Sequence, residues 1–333
     1  MADRPLEGEL ALEPGWSLTV DPEGDGERLD RFIARRIPRL SRARASRLEV
    51  IDLDQPHKSL KKSNRLHMGQ RLWARRPPPE EDLSALDEPQ VLFEGEGLLI
   101  LDKPPGWAAH PTASRYEATI TTWLKRRGTP AMPAHRLDVE TSGVLACASD
   151  LEVERALKAI FKSHQARKVY LAVCEGVERV SEGASRPLSV EERWVEERPL
   201  GFDSSSEVRL KMGIGALVAR TDFEVLSLSP EVGHGGRALI KATPHTGRQH
   251  QLRAHLSLSG LPIVGDKLYG PDEGIFLRYL NDGLSDADWS ILGHSRQALH
   301  ASELSCELFG QVFHWRAPLP ASLSALMAPL ERT

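Results

Sequence analysis

Apolar residues near the start of the chain recur at the spacing of a short helix. Leu29, Phe32 and Ile33 occupy positions i, i+3 and i+4, which places them on one helix face. Ser41 can cap a second helix that extends to Leu48. Because alternating apolar and polar segments follow, this part of the chain is predicted to form two short helices and a small sheet.

After residue 90 the pattern changes to short runs of residues typical of β-strands. Residues 98–101 and 168–173 are two such runs, whereas helical spacing occurs in intervals such as residues 152–162. Glycine or proline turns join many of the runs, so the pattern predicts an α+β fold around a central mixed, mostly antiparallel sheet. The polar residues 178–192 are predicted to form a surface loop.

Three consecutive prolines at residues 77–79, followed by three acidic residues, separate the two patterns. Proline continues neither a helix nor a central strand, so this segment is predicted to be a semi-rigid linker. The expected organisation is a small domain at residues 16–77, an acidic, proline-rich linker at residues 78–90 and a larger domain at residues 91–325.

The distribution of charge is more informative than its total. The 333 residues carry 43 basic and 47 acidic side chains, a net charge of −4. Residues 27–76, however, hold 15 Lys and Arg against five acids, while residues 1–26 and 77–98 each hold seven acids. A basic domain between acidic flanks is expected to bind a polyanion such as RNA.

The sequence shows no leader pattern, no apolar run long enough for a membrane helix and no paired cysteine spacing. Cys147, Cys174 and Cys306 lie far apart. These features predict a cytoplasmic protein that makes no membrane contact and has no zinc site, and we expect a monomer.

Arginines cover the exposed faces of both helices predicted for the basic domain. The candidates for contacts with RNA phosphates are Arg31, Arg35, Arg42 and Arg44. A solvated helix face and a helix-turn-helix that reads DNA are the alternative interpretations. The segments RLDRFI at residues 28–33 and LSRAR at residues 40–44 resemble the S-four-like RNA-binding domain, which implies a small α/β RNA-binding domain.

Two clusters in the larger domain combine reactive side chains with strand edges. HRLDVETSG, at residues 135–143, places a carboxylate on a turn before an apolar strand, where catalytic groups often lie. A turn whose aspartate accepts backbone hydrogen bonds is the alternative. KVYLA, at residues 168–172, puts Lys168 and Tyr170 on one strand face, and a core or rim tyrosine is the alternative there.

A third cluster, TGRQHQLRAH at residues 246–255, contains two arginines and two histidines. The histidines are five residues apart, a spacing that does not bring them to one metal ion on a helix or a strand. The group is better suited to RNA phosphates and a carboxylate partner.

Together, the three clusters closely resemble the RluA family of RNA pseudouridine synthases, whose signatures read HRLD..TSG, K.Y.A...G and TGR.HQ(I/L)R.H. Further similar segments are DKPPG at residues 102–106, LPIVGDKLYG at residues 261–270 and ALHA at residues 298–301. The resemblance covers nearly the whole chain. It implies the pseudouridine synthase fold and an isomerase that acts on RNA without a cofactor or a metal.

The reaction of that family breaks the bond from ribose to the base nitrogen, turns the uracil and rejoins it through carbon. It requires a carboxylate, a group that handles the proton on the base carbon, and a dry pocket. The resemblance implies that Asp138 is the carboxylate and that Arg253 pairs with it. It also implies that Tyr170 stacks on the base and is a candidate for removing its proton.

The target base must leave its stack to reach the carboxylate. The resemblance implies that Arg136 fills the vacated space, and a salt bridge to Glu140 is the alternative. Arg248, His250 and His255 are expected to contact the RNA backbone, with packing as the alternative.

The expected substrate is large-subunit ribosomal RNA, since an S-four-like domain before this catalytic type most often accompanies it. Transfer RNA is the alternative substrate. A non-catalytic RNA-binding factor in ribosome assembly is disfavoured by the intact Asp138, Tyr170 and Arg253. A DNA-binding regulator that uses residues 27–76 would leave the larger domain unexplained.

Overall fold

The structure of the chain, a computed structural model, divides into two compact units, residues 1–80 and 81–333. The described residues are 15–37, 40, 42–46, 48–56, 60–75, 81–112, 115–181, 183–230, 232, 235–281 and 283–328. The predicted cap Ser41, the side chain of Arg44 and the prolines at residues 77–79 lie outside them.

The first unit contains two helices and an antiparallel sheet in the strand order β1-β3-β2. Its elements are β1 (Trp16–Thr19), α1 (Leu29–Arg36), α2 (Arg42–Ala45), β2 (Glu49–Asp52) and β3 (Arg71–Arg75). Leu29, Phe32 and Ile33 are buried in its core, as their spacing predicts. Helix α2 ends at Ala45 rather than at Leu48, and β2 begins at Glu49, which pairs with Arg75.

The second unit is dominated by strands. They are β4 (Gln90–Gly95), β5 (Leu98–Lys103), β6 (Met132–Pro133), β7 (Ser142–Ala148), β8 (Arg167–Glu175), β9 (Glu178–Ser181), β10 (Ala184–Pro187), β11 (Arg193–Glu196), β12 (Leu200–Phe202), β13 (Met212–Ile214), β14 (Thr221–Ser229), β15 (Arg237–Pro244), β16 (Leu299–Leu308) and β17 (Gln311–Arg316). The helices are α3 (Ile120–Arg126), α4 (Leu151–Lys162), α5 (Gln251–Leu258), α6 (Gly274–Asn281), α7 (Asp286–Leu292) and α8 (Ala321–Ser324).

In the described part of the chain, ten of these strands form one sheet. Eight follow the order β11-β14-β15-β8-β16-β7-β5-β4, while β17 pairs with β16 and β6 pairs with β7. The contact between β16 and β7 is parallel, and the other pairs in this sheet are antiparallel. The prediction of an α+β fold with a mixed, mostly antiparallel sheet is confirmed.

The parallel contact explains the glycine of the Thr-Ser-Gly turn. Gly143 pairs with Ala301 and has a φ of 112°, a value that side chains rarely adopt. A Cβ at this position would lie 2.2 Å from the carbonyl oxygen of Ala301. Glycine therefore allows β16 to lie directly beside the start of β7, immediately after the turn that carries Asp138.

Two segments differ from their sequence-based description. Residues 178–192 were expected to form a surface loop, but β9 and β10 pair there as an antiparallel hairpin. Residues 81–88, part of the predicted linker, belong to the second unit. They bond to its other segments: Trp107 Nε1 donates to the Asp87 carbonyl oxygen at 2.8 Å, and Glu81 accepts the backbone N–H of Ala118. None of the helices in the described ranges is long and apolar enough to cross a membrane.

Candidate active site

Asp138 and Arg253 form an ion pair although 115 residues separate them in the chain. Asp138 lies on the turn before β7, and Arg253 is the third residue of α5. Arg253 Nη1 donates to Asp138 Oδ2 at 3.0 Å. The pair implied by the family resemblance is thus present. Asp138 Oδ1 accepts no hydrogen bond from the described residues, and the side chain is 26% exposed.

A second carboxylate, Asp266, fixes the other edge of the same guanidinium. Arg253 Nε and Nη2 donate to Asp266 Oδ2 and Oδ1 at 2.6 and 2.8 Å. Asp266 Oδ1 also accepts the backbone N–H groups of Leu268 and Tyr269. Because the side chain of Asp266 is fully buried, this bidentate pair sets the direction in which Arg253 reaches Asp138.

The charges in this group keep Asp138 ionised. Burial alone would raise the pKa of Asp138, but the positive charge and the hydrogen bond of Arg253 lower it below its usual value. Burial likewise opposes the charge of Arg253, and the two aspartates raise its pKa nonetheless. The arrangement supplies a carboxylate anion at a largely desolvated position.

Buried cations also hold the backbone of the turn around Asp138. Lys103 Nζ donates to the carbonyl oxygens of Trp107 and Val139 at 2.9 and 3.2 Å. Arg296 Nη1 donates to the carbonyl oxygen of Glu140 at 3.1 Å. Burial lowers the pKa of Lys103 to about 7. The turn is therefore fixed by side chains from β5 and from the segment before β16.

Asp138 and Tyr170 line one cavity of about 450 Å³, which we call the Tyr170 cavity. Its other walls include Lys168 from β8, Leu299 from β16 and residues 246–253. Tyr170 stands on β8 opposite Ala242 and Ala301. Burial and the nearby charge of Asp138 raise the pKa of Tyr170. Its hydroxyl is therefore protonated at neutral pH.

His250 and Arg248 lie at the start of α5, beside this cavity. His250 has a φ of 52°, and its Nδ1 is 3.1 Å from the Tyr269 hydroxyl. Burial, followed by the charge of Arg253, lowers the pKa of His250 to about 4. Arg248 Nε donates to the Val218 carbonyl oxygen at 2.9 Å. Both residues line the cavity, but each also has one nitrogen in contact with a group of the protein.

His255 does not reach the cavity. Its ring is fully buried, with Nδ1 3.0 Å from Thr221 Oγ1 and Nε2 3.1 Å from the Arg198 carbonyl oxygen. The prediction that His255 contacts RNA is wrong, because both ring nitrogens are occupied inside the protein. The packing alternative describes this residue.

Arg136 is exposed and makes no hydrogen bond or ion pair with its side chain among the described residues. The alternative of a salt bridge to Glu140 is not realised. Glu140 instead accepts Lys267 Nζ at 2.7 Å and the backbone N–H of Gln297 at 3.1 Å. Arg136 is therefore available to a ligand at the edge of the cavity.

The arginines predicted to bind RNA in the first unit differ in their availability. Arg31 is exposed on α1 and has no partner within the described ranges. Arg42 is 52% exposed and pairs with Asp30 at 3.0 Å. Arg35 is surrounded by three acids at 2.9 to 3.3 Å, namely Asp21, Glu23 and Glu27.

Sequence reasoning gave no role to Asp266, Lys103 or Arg296. Asp266 and Lys103 occur in the family-like segments GDKLYG and DKPPG, and a charged residue next to a buried apolar run was the available signal. In the described part of the chain, no three His, Cys, Asp or Glu side chains are grouped to hold a metal ion.

The comparisons with known proteins agree with the fold. Residues 97–258 match the family model described as RNA pseudouridylate synthase. An uncharacterized RNA pseudouridine synthase of Chloroflexus aurantiacus is 31% identical over 98% of this chain and 97% of its own length. The ribosomal large subunit pseudouridine synthase D of Nitrosomonas europaea is 28% identical over 98% of this chain and 90% of its own length.

A solved structure supports the fold independently. The human RNA pseudouridylate synthase domain containing 1 superposes with a TM-score of 0.55 at 24% identity, covering 72% of this chain and 87% of that one. The fold is that of the pseudouridine synthases, which are isomerases that act on RNA. The chain belongs to the RNA pseudouridine synthase family. The resemblance of the three sequence clusters to that family is thereby confirmed.

Proposed function

We propose that this RNA pseudouridine synthase modifies large-subunit ribosomal RNA and that Asp138 is the carboxylate that starts its reaction. The substrate proposal is supported by the name of the Nitrosomonas europaea relative, which matches nearly the full length of this chain. The observation that carries the catalytic proposal is the Asp138 carboxylate, with Oδ2 bound to Arg253 at 3.0 Å and Oδ1 without a partner in the described residues.

In the proposed reaction, the bond between ribose C1′ and uracil N1 breaks, the base turns, and C1′ bonds to C5. The C5 proton leaves and N1 ends with a proton, so atoms and electrons balance without a cofactor. Asp138 acts as the anion at the start of this sequence, and Arg253 orients it and keeps it ionised. These roles follow the pairing and the lowered pKa of Asp138.

Tyr170 and Arg136 position the RNA in this proposal. A protonated phenol is a poor base, so the raised pKa of Tyr170 favours stacking on the uracil over removal of its proton. Arg136 is exposed beside the cavity, and its planar guanidinium can stack between bases where the uridine has left the strand. Arg248 and His250 contact the RNA near the start of α5.

The first unit adds affinity for RNA in the manner of an S-four-like domain. Its basic stretch at residues 27–76 holds ten more basic than acidic residues. Arg31, exposed and without a partner in the described ranges, is the best placed of its candidate contacts, followed by Arg42. Arg35 is a weaker candidate because three acids surround it.

The substitution Asp138→Asn tests the catalytic assignment. Tritium release from RNA labelled at uracil C5 should fall by about 10,000-fold or more, as for other enzymes that lose a group acting on the reacting atoms. RNA binding should change little. Glu303→Gln, at a surface ion pair on β16, is the matched control and should remain active. Retained turnover in Asp138→Asn would contradict the assignment.

A map of pseudouridines in total RNA from cells with and without the protein tests the substrate. We expect one or more positions of large-subunit ribosomal RNA to lose the modification when the protein is absent. Loss confined to transfer RNA would refute the ribosomal substrate while leaving the reaction intact. An Asp138→Asn protein that restores a deletion strain would point instead to a non-catalytic role in ribosome assembly.

A further inference from the structure

A second cavity of about 450 Å³ also borders Asp138. It shares Arg136, Leu137, Asp138, His250 and Arg253 with the Tyr170 cavity, but Tyr170 is absent from its walls. Its remaining walls include the segment after β5, the loop before β13, helix α6, and the residues Val139, Glu140, Lys267, Leu268 and Gln297. We call it the Tyr279 cavity, after the most exposed aromatic residue in its wall.

The Tyr279 cavity has the size of a nucleotide site, since ligand pockets commonly measure about 300 to 1,000 Å³. The uridine to be modified is assigned to the Tyr170 cavity. Because Asp138 and Arg136 line both cavities, an RNA strand that delivers a uridine to one of them passes beside the other. A nucleotide next to the target uridine is therefore the ligand that can enter the Tyr279 cavity as part of the same binding event.

Helix α6 offers an aromatic surface to this cavity. Phe276 and Tyr279 lie three residues apart on one face of α6, and both line the cavity. Tyr279 is 41% exposed. Lys267 Nζ lies 5.1 Å from its centroid and is held in turn by Glu140 Oε1 at 2.7 Å. An exposed ring fixed in this way is suited to stacking by a base.

Two arginines in the wall of the Tyr279 cavity form no ion pair with a carboxylate among the described residues. Arg136 forms no side-chain bond there, and Arg115 uses one nitrogen on the carbonyl oxygen of Gly106 at 2.9 Å. Arg253 and Lys267, the other cations in the wall, are paired with Asp138, Asp266 and Glu140. Arg115 and Arg136 are therefore the groups that can meet a phosphate.

We infer that the Tyr279 cavity binds a second, unpaired nucleotide of the substrate RNA, close in sequence to the target uridine. Its base stacks on Tyr279, and its phosphate lies at Arg115 and Arg136. The inference rests on the proposed use of the Tyr170 cavity for the target. It makes site selection depend on two nucleotides removed from their helix or loop stack, one on each side of Arg136 and Asp138.

The test uses an RNA fragment that contains the uridine found by the pseudouridine map. Each of the three nucleotides on either side of that uridine is replaced in turn by an abasic nucleotide. KM and kcat are measured for the wild type, Tyr279→Ala and Tyr279→Phe. Trp289→Ala is the matched control, because the Lys267 ammonium also lies over Trp289, at 5.7 Å, but Trp289 does not line the cavity.

One abasic position should raise the KM of the wild type by about tenfold, a size typical for the loss of one stacked base. Tyr279→Ala should raise KM on intact RNA by a similar factor, and the two changes together should be no worse than either alone. Tyr279→Phe and Trp289→Ala should resemble the wild type, and kcat should stay within about threefold throughout.

Independent, multiplying effects of the abasic nucleotide and Tyr279→Ala would overturn the inference. So would an absence of any sensitive position, or equal defects in Trp289→Ala and Tyr279→Ala, which would indicate a structural role. The fragment is chosen from the map, so the test is valid for ribosomal or transfer RNA. Failure of the Asp138 assignment would appear in Asp138→Asn turnover and not in this KM cycle.

Discussion

Two arginines, one in each unit, show that ion pairs with carboxylates have different effects in exposed and in buried surroundings. Arg35 of the first unit contacts Asp21, Glu23 and Glu27, and its side chain is 34% exposed. Arg253 of the second unit contacts two carboxylates, and its side chain is 10% exposed. Water and salt screen the charges around Arg35. The charges around Arg253 are largely desolvated, so each of them is stable in the protein only because its partner is present.

The difference shows that the number of charged residues in a segment predicts its affinity for RNA less well than the surroundings of each charge do. The basic stretch at residues 27–76 suggested a strong positive field. In the folded unit, however, Asp21 and Glu23 come from the preceding acidic segment and pair with Arg35. The field is therefore weaker than the count implies. The second unit holds 34 acidic against 27 basic side chains, yet it places Arg136, which forms no ion pair among the described residues, in the same cavity wall as Asp138.

The largest effect that would sharpen this comparison is expected from Asp266→Asn. The change leaves Arg253 buried beside one carboxylate instead of two, and breaking a buried pair typically costs about 3–5 kcal/mol in the free energy of unfolding. Turnover should also fall, by roughly 10- to 100-fold, because Arg253 is no longer oriented toward Asp138. Urea unfolding and tritium release measure the two effects.

Asp272→Asn is the matched control for that change. Asp272 pairs with Arg278 at 2.9 Å, but both side chains are more than 40% exposed. The same replacement of a carboxylate by an amide should therefore leave unfolding and turnover near the wild-type values. Equal losses in the two variants would remove the distinction between buried and exposed pairs.

A smaller effect is expected from acid, through the partly buried His135. Its Nε2 accepts the backbone N–H of Ala146 at 3.0 Å, and burial, with a smaller effect of Lys168, lowers its pKa to about 3. The unfolded chain binds a proton below about pH 6.5 and the folded one does not. The contribution of His135 to the free energy of unfolding is therefore fully present above pH 6.5. It decreases as the pH falls toward 3, and the loss is roughly 2 kcal/mol at pH 5.

Urea unfolding of the second unit at pH 7.5 and pH 5 measures this loss. His135→Gln, which can still accept the Ala146 N–H, should reduce the difference between the two pH values. His67→Gln, at an exposed position of the first unit, should leave it unchanged. An unaltered pH dependence in His135→Gln would assign the acid sensitivity to other groups.

The smallest effects are expected for single arginines of the first unit. Arg31→Ala should weaken RNA binding a few-fold and reduce the slope of log affinity against log salt by about 1, because a free phosphate contact is lost. Arg35→Ala should have less effect on binding, since three acids already occupy that side chain. Filter binding to ribosomal RNA across a salt series separates the two. A larger loss of RNA affinity in Arg35→Ala than in Arg31→Ala would show that RNA phosphates displace the three acids from Arg35.

The hydrophobic periodicity of the sequence predicted the fold class, and the family resemblance implied the Asp138–Arg253 pair. The sequence could not predict how α5 packs. His255 stands in the same segment as Arg253, yet it faces Thr221 and Arg198 inside the protein. Asp266 and Lys103 also escaped prediction, since their roles depend on partners that only the tertiary structure brings near.

The position of β16 has a consequence for the order in which the enzyme is made. This strand lies between β7 and β8, although Ser142 and His300, whose side chains meet at 2.9 Å, are 158 residues apart. During synthesis, the middle of the sheet must therefore wait for one of the last strands to emerge. Closing so long a loop is slow compared with local pairing. A nascent chain can thus carry Asp138, Tyr170 and Arg253 and still lack the strand that joins their halves of the sheet.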